Sequence, residues 1–183
     1  MLISPEVLRT HIDYTAWASA RLVEAAAQLT PDELTRDFAT ADKTPLGTLV
    51  HCFAADRIWM ARVAGDAPAK FIDPERDMHF SVLQNDWPPL MQRWKTWASA
   101  LTAEAAEASI AWTDLKGNSF EMPAWQIVLH VVNHGTHHRG QVSGFLRAMG
   151  KVPPPLDLAR YYRELAKYRQ RLIFPQEIHN PIH

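Results

Sequence analysis

Apolar residues recur every three or four positions in four long stretches of this chain, and proline, glycine and charge break the period between them. Such spacing lines one face of a helix. Ser4-Pro5 is a helix start, because the hydroxyl satisfies an orphan amide and proline has none to leave unsatisfied; it predicts a helix from about Pro5 to Gln28. Thr30-Pro31-Asp32-Glu33 repeats that start as a capping box and predicts a short helix ending near Asp37. From Thr44-Pro45, residues Leu46, Leu49, Val50, Phe53 and Met60 keep helical spacing until Gly65 offers a stop, which predicts a helix over 45–64. Residues 66–86 carry Pro68, Pro74 and several charges without a period and read as a loop crossing one end of the molecule. Beyond Pro89, Leu90, Met91, Trp94, Trp97, Leu101 and Ala105 predict a third long helix that fades at Ser109.

The run IAWTDLKGNSFEMP alternates around Lys116-Gly117-Asn118 and predicts a small hairpin-like connector. A fourth long helix follows from Pro123 to Met149, marked by Trp125, Val128, Leu129, Val132, Val142, Phe145 and Leu146 and closed by Gly150. Three prolines between Lys151 and Leu156 make a rigid turn, and Asp157 caps a last helix through Arg171 with a face of Leu158, Tyr161, Tyr162, Leu165 and Tyr168. The fold class is therefore all-α: a four-helix bundle with a short hairpin-like connector and a C-terminal helix, in a single domain over 1–183.

Composition narrows the functions. Nineteen Lys and Arg against twenty Asp and Glu leave a net charge of −1, so no nucleic acid or anionic membrane is implied as a partner. The stretch from Met122 to His138 lacks charge but holds four histidines and an asparagine where a membrane span needs apolar side chains. A single cysteine, Cys52, and a start without a basic patch and apolar run point to a reducing cytoplasm.

Nine histidines average fewer than one per nine-residue window, yet residues 130–138 contain four. Residues four apart share a helix face about 6 Å apart, which lets two imidazoles meet one ion; His130 with His134 and His134 with His138 both qualify. All three cannot, since eight residues span roughly 12 Å. A facing helix must add a donor, and His51, at the edge of its apolar stripe, is the candidate. Three such donors leave a coordination position open, as catalytic sites do. Neither H-E-x-x-H nor paired E-x-x-H motifs occur. Imidazole donors suit zinc, nickel, copper or iron; zinc is the first expectation and nickel the second. His137 faces away from His134, and His11, His79, His179 and His183 have no paired spacing. Asp56 and Asn133 could orient donors, with surface or cap roles as the alternative. Arg139 could anchor a substrate carboxylate or face solvent. Cys52 reads as a small buried residue.

Three blocks, YTAWASARLVEAAAQLTPDEL, TPLGTLVHCFAADRIWMARVAG and LHVVNHGTHHRGQVSGFLRAMG, resemble the DinB/YfiT-like superfamily over about residues 8–165. The resemblance implies a dimeric four-helix bundle with one divalent metal on His51, His134 and His138, and makes His130 a non-ligand. It also implies a metal-dependent, thiol-using transferase or isomerase acting with mycothiol, bacillithiol or glutathione. The expected function is activation of a small-molecule thiol at an open metal in a homodimer. A metal-dependent hydrolase and a non-catalytic, stress-related metal-binding protein are the alternatives. The 66–86 segment and the tail after Arg171 depart from the pattern.

Overall fold

The computed structural model of the chain describes residues 3–67 and 70–173, with side chains through Gln170. The elements run α1 (Pro5–Ala26), α2 (Pro31–Thr35), α3 (Pro45–Ala64), α4 (Pro74–Asp77), α5 (Phe80–Asn85), α6 (Trp87–Ser99), α7 (Ala103–Glu107), β1 (Ser109–Thr113), β2 (Ser119–Pro123), α8 (Ala124–Ala148) and α9 (Leu158–Ile173). The molecule is mostly helical with one small antiparallel sheet. Of the longer helices, α1 packs against α6 and α8, and α3 against the same two. Their shared interior holds Leu8, Ile12, Leu22, Leu49, Phe53, Trp94, Ile127 and Leu146, all essentially buried. Burial of each such side chain contributes about 1.5–3 kcal/mol. No helix among the described residues is long and apolar enough to cross a membrane.

The helix starts follow their caps. Ser4 accepts from the Val7 amide, Thr44 from the Gly47 amide, and Thr30 and Glu33 complete the reciprocal capping box. Gly65 ends α3 at φ 72°, the left-handed geometry that costs glycine nothing.

Three expectations change. The 66–86 segment contains α4 and α5 rather than a plain loop, because Asp73 caps the Glu75 amide while buried Asp77 takes a two-pronged bond from Arg57 at 2.9 and 2.7 Å. The third long helix begins at Trp87 with proline in its first turn, then breaks after Ser99, where Thr102 caps the new helix α7. The apolar period runs through that break because Leu101, between the helices, is also buried. Among the described side chains of α9, Tyr161 alone is buried; Tyr162 and Tyr168 are 41% and 62% exposed, so the apolar face over 158–170 is narrower than the sequence suggests. Residues beyond Ile173, including His179 and His183, lie outside the described residues.

The connector is a hairpin, with Ser109 opposite Pro123 and Thr113 opposite Ser119. Asp114 shapes its turn by accepting from the Lys116 and Asn118 amides. All seven tryptophans lie in the core or pack against it.

Candidate metal centre

Helices α3 and α8 make an extensive contact, and it brings His51 beside the i,i+4 pair His134 and His138. Each of the three offers one ligand-type nitrogen within 4.8 Å of the others. The Nε2 atoms of His51 and His134 face each other at 3.0 Å, and the His138 ring centroid lies 4.4 Å from that of His51 and 4.5 Å from that of His134. The rings are half-buried; the side chains of His51 and His138 are 22% and 12% exposed. The cluster is thus partly accessible to solvent.

A carboxylate that sequence spacing did not single out completes it. Asp42, in the loop before α3, places Oδ1 3.3 Å from His51 Nδ1 and Oδ2 3.6 Å from His138 Nδ1. His138 Nδ1 also meets Gln141 Oε1 at 2.8 Å. With Nδ1 engaged, Nε2 remains as the donor of each ring. A carboxylate on the far nitrogen is the usual way a protein fixes the tautomer and aim of a metal-binding imidazole. The loop is shaped for this placement: Ala39 and Lys43 have φ of 55° and 60°, and the Phe38 amide donates to the Lys43 carbonyl at 2.8 Å. A Cβ at position 47 would fall on the Asp42 carbonyl oxygen, so Gly47 is what lets the loop press onto the first turn of α3.

The electrostatics favour neutral imidazoles. Burial, reinforced by His138, His51, His130 and His137, pushes the His134 pKa down to about 4. Burial also lowers His51, against an opposing pull from Asp42. A neutral ring keeps a lone pair for a metal. Three nitrogen donors, two of them with the far nitrogen engaged, fit a divalent ion. Among the described residues no cysteine or carboxylate joins the cluster as a fourth donor.

Other candidates fall elsewhere. His130 is exposed at the helix surface, its ring 4.9 Å from Trp59 and 5.8 Å from His134, and it stands outside the cluster. His137 is exposed and accepts from Gln141 Nε2 at 3.4 Å. His11 and His79 bond to the backbone carbonyls of Val7 and Glu75. Asn133 is exposed and lines a cavity with Thr136 and Ser143, on the far side of α8 from the cluster.

Arg139 neither faces solvent nor extends freely toward a ligand. It is 2% exposed, donates to Ser19 Oγ and Thr136 Oγ1, and lies 5.6 Å from the Tyr14 ring. Asp56 is a core residue too, accepting from Trp87 Nε1 at 2.9 Å, with burial raising its pKa to about 7. Cys52 is buried; desolvation, with Asp56 next, drives its thiol far above the usual range, and it stands outside the cluster.

The family model described as the DinB family matches residues 5–171. Protein DinB of Bacillus subtilis (strain 168) is 21% identical over 164 residues, which span 81% of this chain and 90% of that protein. A crystal structure of a DinB-like protein from Bacillus cereus ATCC 10987 superposes with a TM-score of 0.58 at 17% identity, covering 76% of this chain and 90% of that one. The structural likeness concerns the fold.

Proposed function

The chain belongs to the DinB family, and from that premise we propose that α1, α3, α6 and α8 form a four-helix bundle in which His51, His134 and His138 hold one divalent metal that activates a small-molecule thiol for transfer to an electrophile. The observation that carries this reading is the convergence of three imidazole nitrogens from two helices within 4.8 Å, with one carboxylate at the far sides of His51 and His138. Zinc is the first choice of ion for a neutral imidazole set and nickel the second. When bound, such an ion supplies the Lewis acidity that lets a coordinated thiol ionise near neutral pH.

The chain's own residues prepare that step. Asp42 beside His51 Nδ1 and Gln141 Oε1 on His138 Nδ1 leave Nε2 of both rings to face inward. The lowered pKa of His134 keeps its ring neutral well below pH 6. Cys52 stays a protonated core residue and does not compete with an incoming thiol. The lack of a fourth protein donor among the described residues supports a catalytic over a purely structural site. Pairing of two copies belongs to the same reading, and light scattering at micromolar concentration should give a mass near twice the 20.8 kDa chain.

Incubating the metal-loaded protein with low-molecular-weight thiols and a panel of electrophiles should show thiol consumption that stops on chelation and in the His134→Ala variant. Consumption unaffected by both treatments, or none with any pair tried, counts against the thiol reading. Asp42→Asn should weaken metal binding about 10- to 100-fold in competition with a chromophoric chelator, with the helical signal unchanged. An unchanged affinity would remove Asp42 from the account.

A further inference from the structure

Beyond the three histidines, the end of α3 and the β1 end of the hairpin enclose a cavity. Because α3 and α8 pair His51 with His134 and Trp59 with His130, the His130 ring links the cluster to a second group of side chains. There Arg62 lies 4.3 Å from the Trp59 ring and 5.2 Å from the Trp112 ring, and the two indoles meet edge to face at 5.1 Å. Arg62 and Trp112 line a cavity of about 530 Å³. That lies within the roughly 300–1,000 Å³ range of small-molecule sites. Phe71 lines the same cavity and sets its ring 5.2 Å from His51, so the cavity and the cluster share a wall.

The charges in this cavity are unevenly committed. Asp66 pairs with Arg93 Nη2 at 2.8 Å, and Asp114 accepts from the Lys116 amide, the Asn118 amide and Asn118 Nδ2. The guanidinium of Arg62 makes no hydrogen bond or ion pair with any described residue, and feels Asp114 through its field alone. An arginine cannot shed its charge, and this one has its flat face on an indole, so its in-plane N–H edge is what it offers. A planar carboxylate matches that edge with two parallel bonds.

We propose that this cavity is the far end of the substrate site and that Arg62 takes a carboxylate there. The inference rests on the three-histidine reading for its near end only. Eleven residues of helix separate His51 from Arg62, about 16 Å along the axis. The substrate class is therefore an elongated small molecule that presents its reacting group to the histidine cluster and a terminal carboxylate to Arg62, with its apolar middle along the aromatic wall.

The test uses 4-phenylbutyrate and its neutral amide as probes of the full-length protein, followed by calorimetric titration before and after treatment with a chelator. The acid should saturate one site per chain and should bind about 10- to 100-fold more tightly than the amide. Arg62→Gln should bring the acid down to the level of the amide, and chelation should leave the wild-type titration unchanged. Arg62→Met keeps the apolar stem over the indoles and serves as the second variant if the first loosens the hairpin. Acid binding that survives both substitutions, or that vanishes with the metal while ignoring Arg62, overturns the proposal. Arg62-dependent binding in a protein that takes up no metal would overturn the metal reading and leave the carboxylate site standing.

Discussion

Replacing Asp56 by Asn should make the protein progressively more stable than wild type as pH rises from about 4 to 7, by up to about 4 kcal/mol at pH 8. Asp56 is 3% exposed, and burial raises its pKa from the ordinary 3.8 to about 7 despite the bond from Trp87 and the field of Arg139. Between those values the native state keeps the proton while the unfolded chain has lost it. The contribution is therefore fully present below about pH 4 and is lost as pH rises to about 7, where the folded carboxyl finally ionises. Asn retains an oxygen for Trp87 Nε1 and has nothing to ionise. His134 acts in the opposite sense: its depressed pKa costs stability below about pH 4 and the cost fades as pH rises to 6.5. That contribution is common to both proteins and cancels in their difference. Urea unfolding of metal-free wild type and variant at pH 5 and pH 8 measures it, and a difference that does not grow with pH would contradict the buried, proton-holding Asp56.

Ala substitution at His51, His134 or His138 should each remove most of the metal at neutral pH, whereas His130→Ala and His137→Ala should retain it. Only the first three place a nitrogen within 4.8 Å of the other two. Losing one of three donors should exceed the roughly 100-fold upper effect of losing an outer partner such as Asp42. His130 and His137 are exposed and stand outside the cluster, so their loss should be felt weakly through Trp59 and Gln141. Metal content and circular dichroism measured together on all five variants separate loss of ligation from unfolding. A His51→Ala protein that keeps full metal beside a folded His130→Ala protein that has lost it would overturn the cross-helix arrangement.

Much of this architecture is legible in the chain. The caps at Ser4, Thr30 and Thr44 mark where helices begin, and apolar spacing marks the faces that pack. The pairing of His134 with His138 follows from helical periodicity, but which of the paired histidines joins His51 does not, since His130 and His138 are equally spaced from His134. Family resemblance separated them, and the packing of α3 on α8 brings only His138 into the cluster. Asp42 had no signal, because a loop residue nine positions before His51 is placed by backbone turns at Ala39 and Lys43 and by the space over Gly47 rather than by any period.

Arg139 and Asp56 could have been read better. Arg139 sits four residues after buried Gly135 and three before Val142, and Asp56 four after Cys52 and four before Met60, which puts both on core faces. Residue type argued for the surface while position argued for the interior, and position prevailed because each found partners there. The short helices α4 and α5 escaped a periodic reading for a simpler reason. Four- and six-residue helices are too brief to show a repeat; the Asp73 cap and the Arg57–Asp77 pair hold α4, while α5 starts without a side-chain cap.

X-ray absorption at the metal edge of the purified, metal-loaded protein, taken with elemental analysis, tests the central claim most directly. The account predicts about one divalent ion per chain, with three imidazole nitrogens at about 2.0–2.1 Å and light scatterers completing the coordination. A protein that takes up no metal on reconstitution, or a spectrum showing sulfur from Cys52 or fewer than three imidazoles, would contradict it.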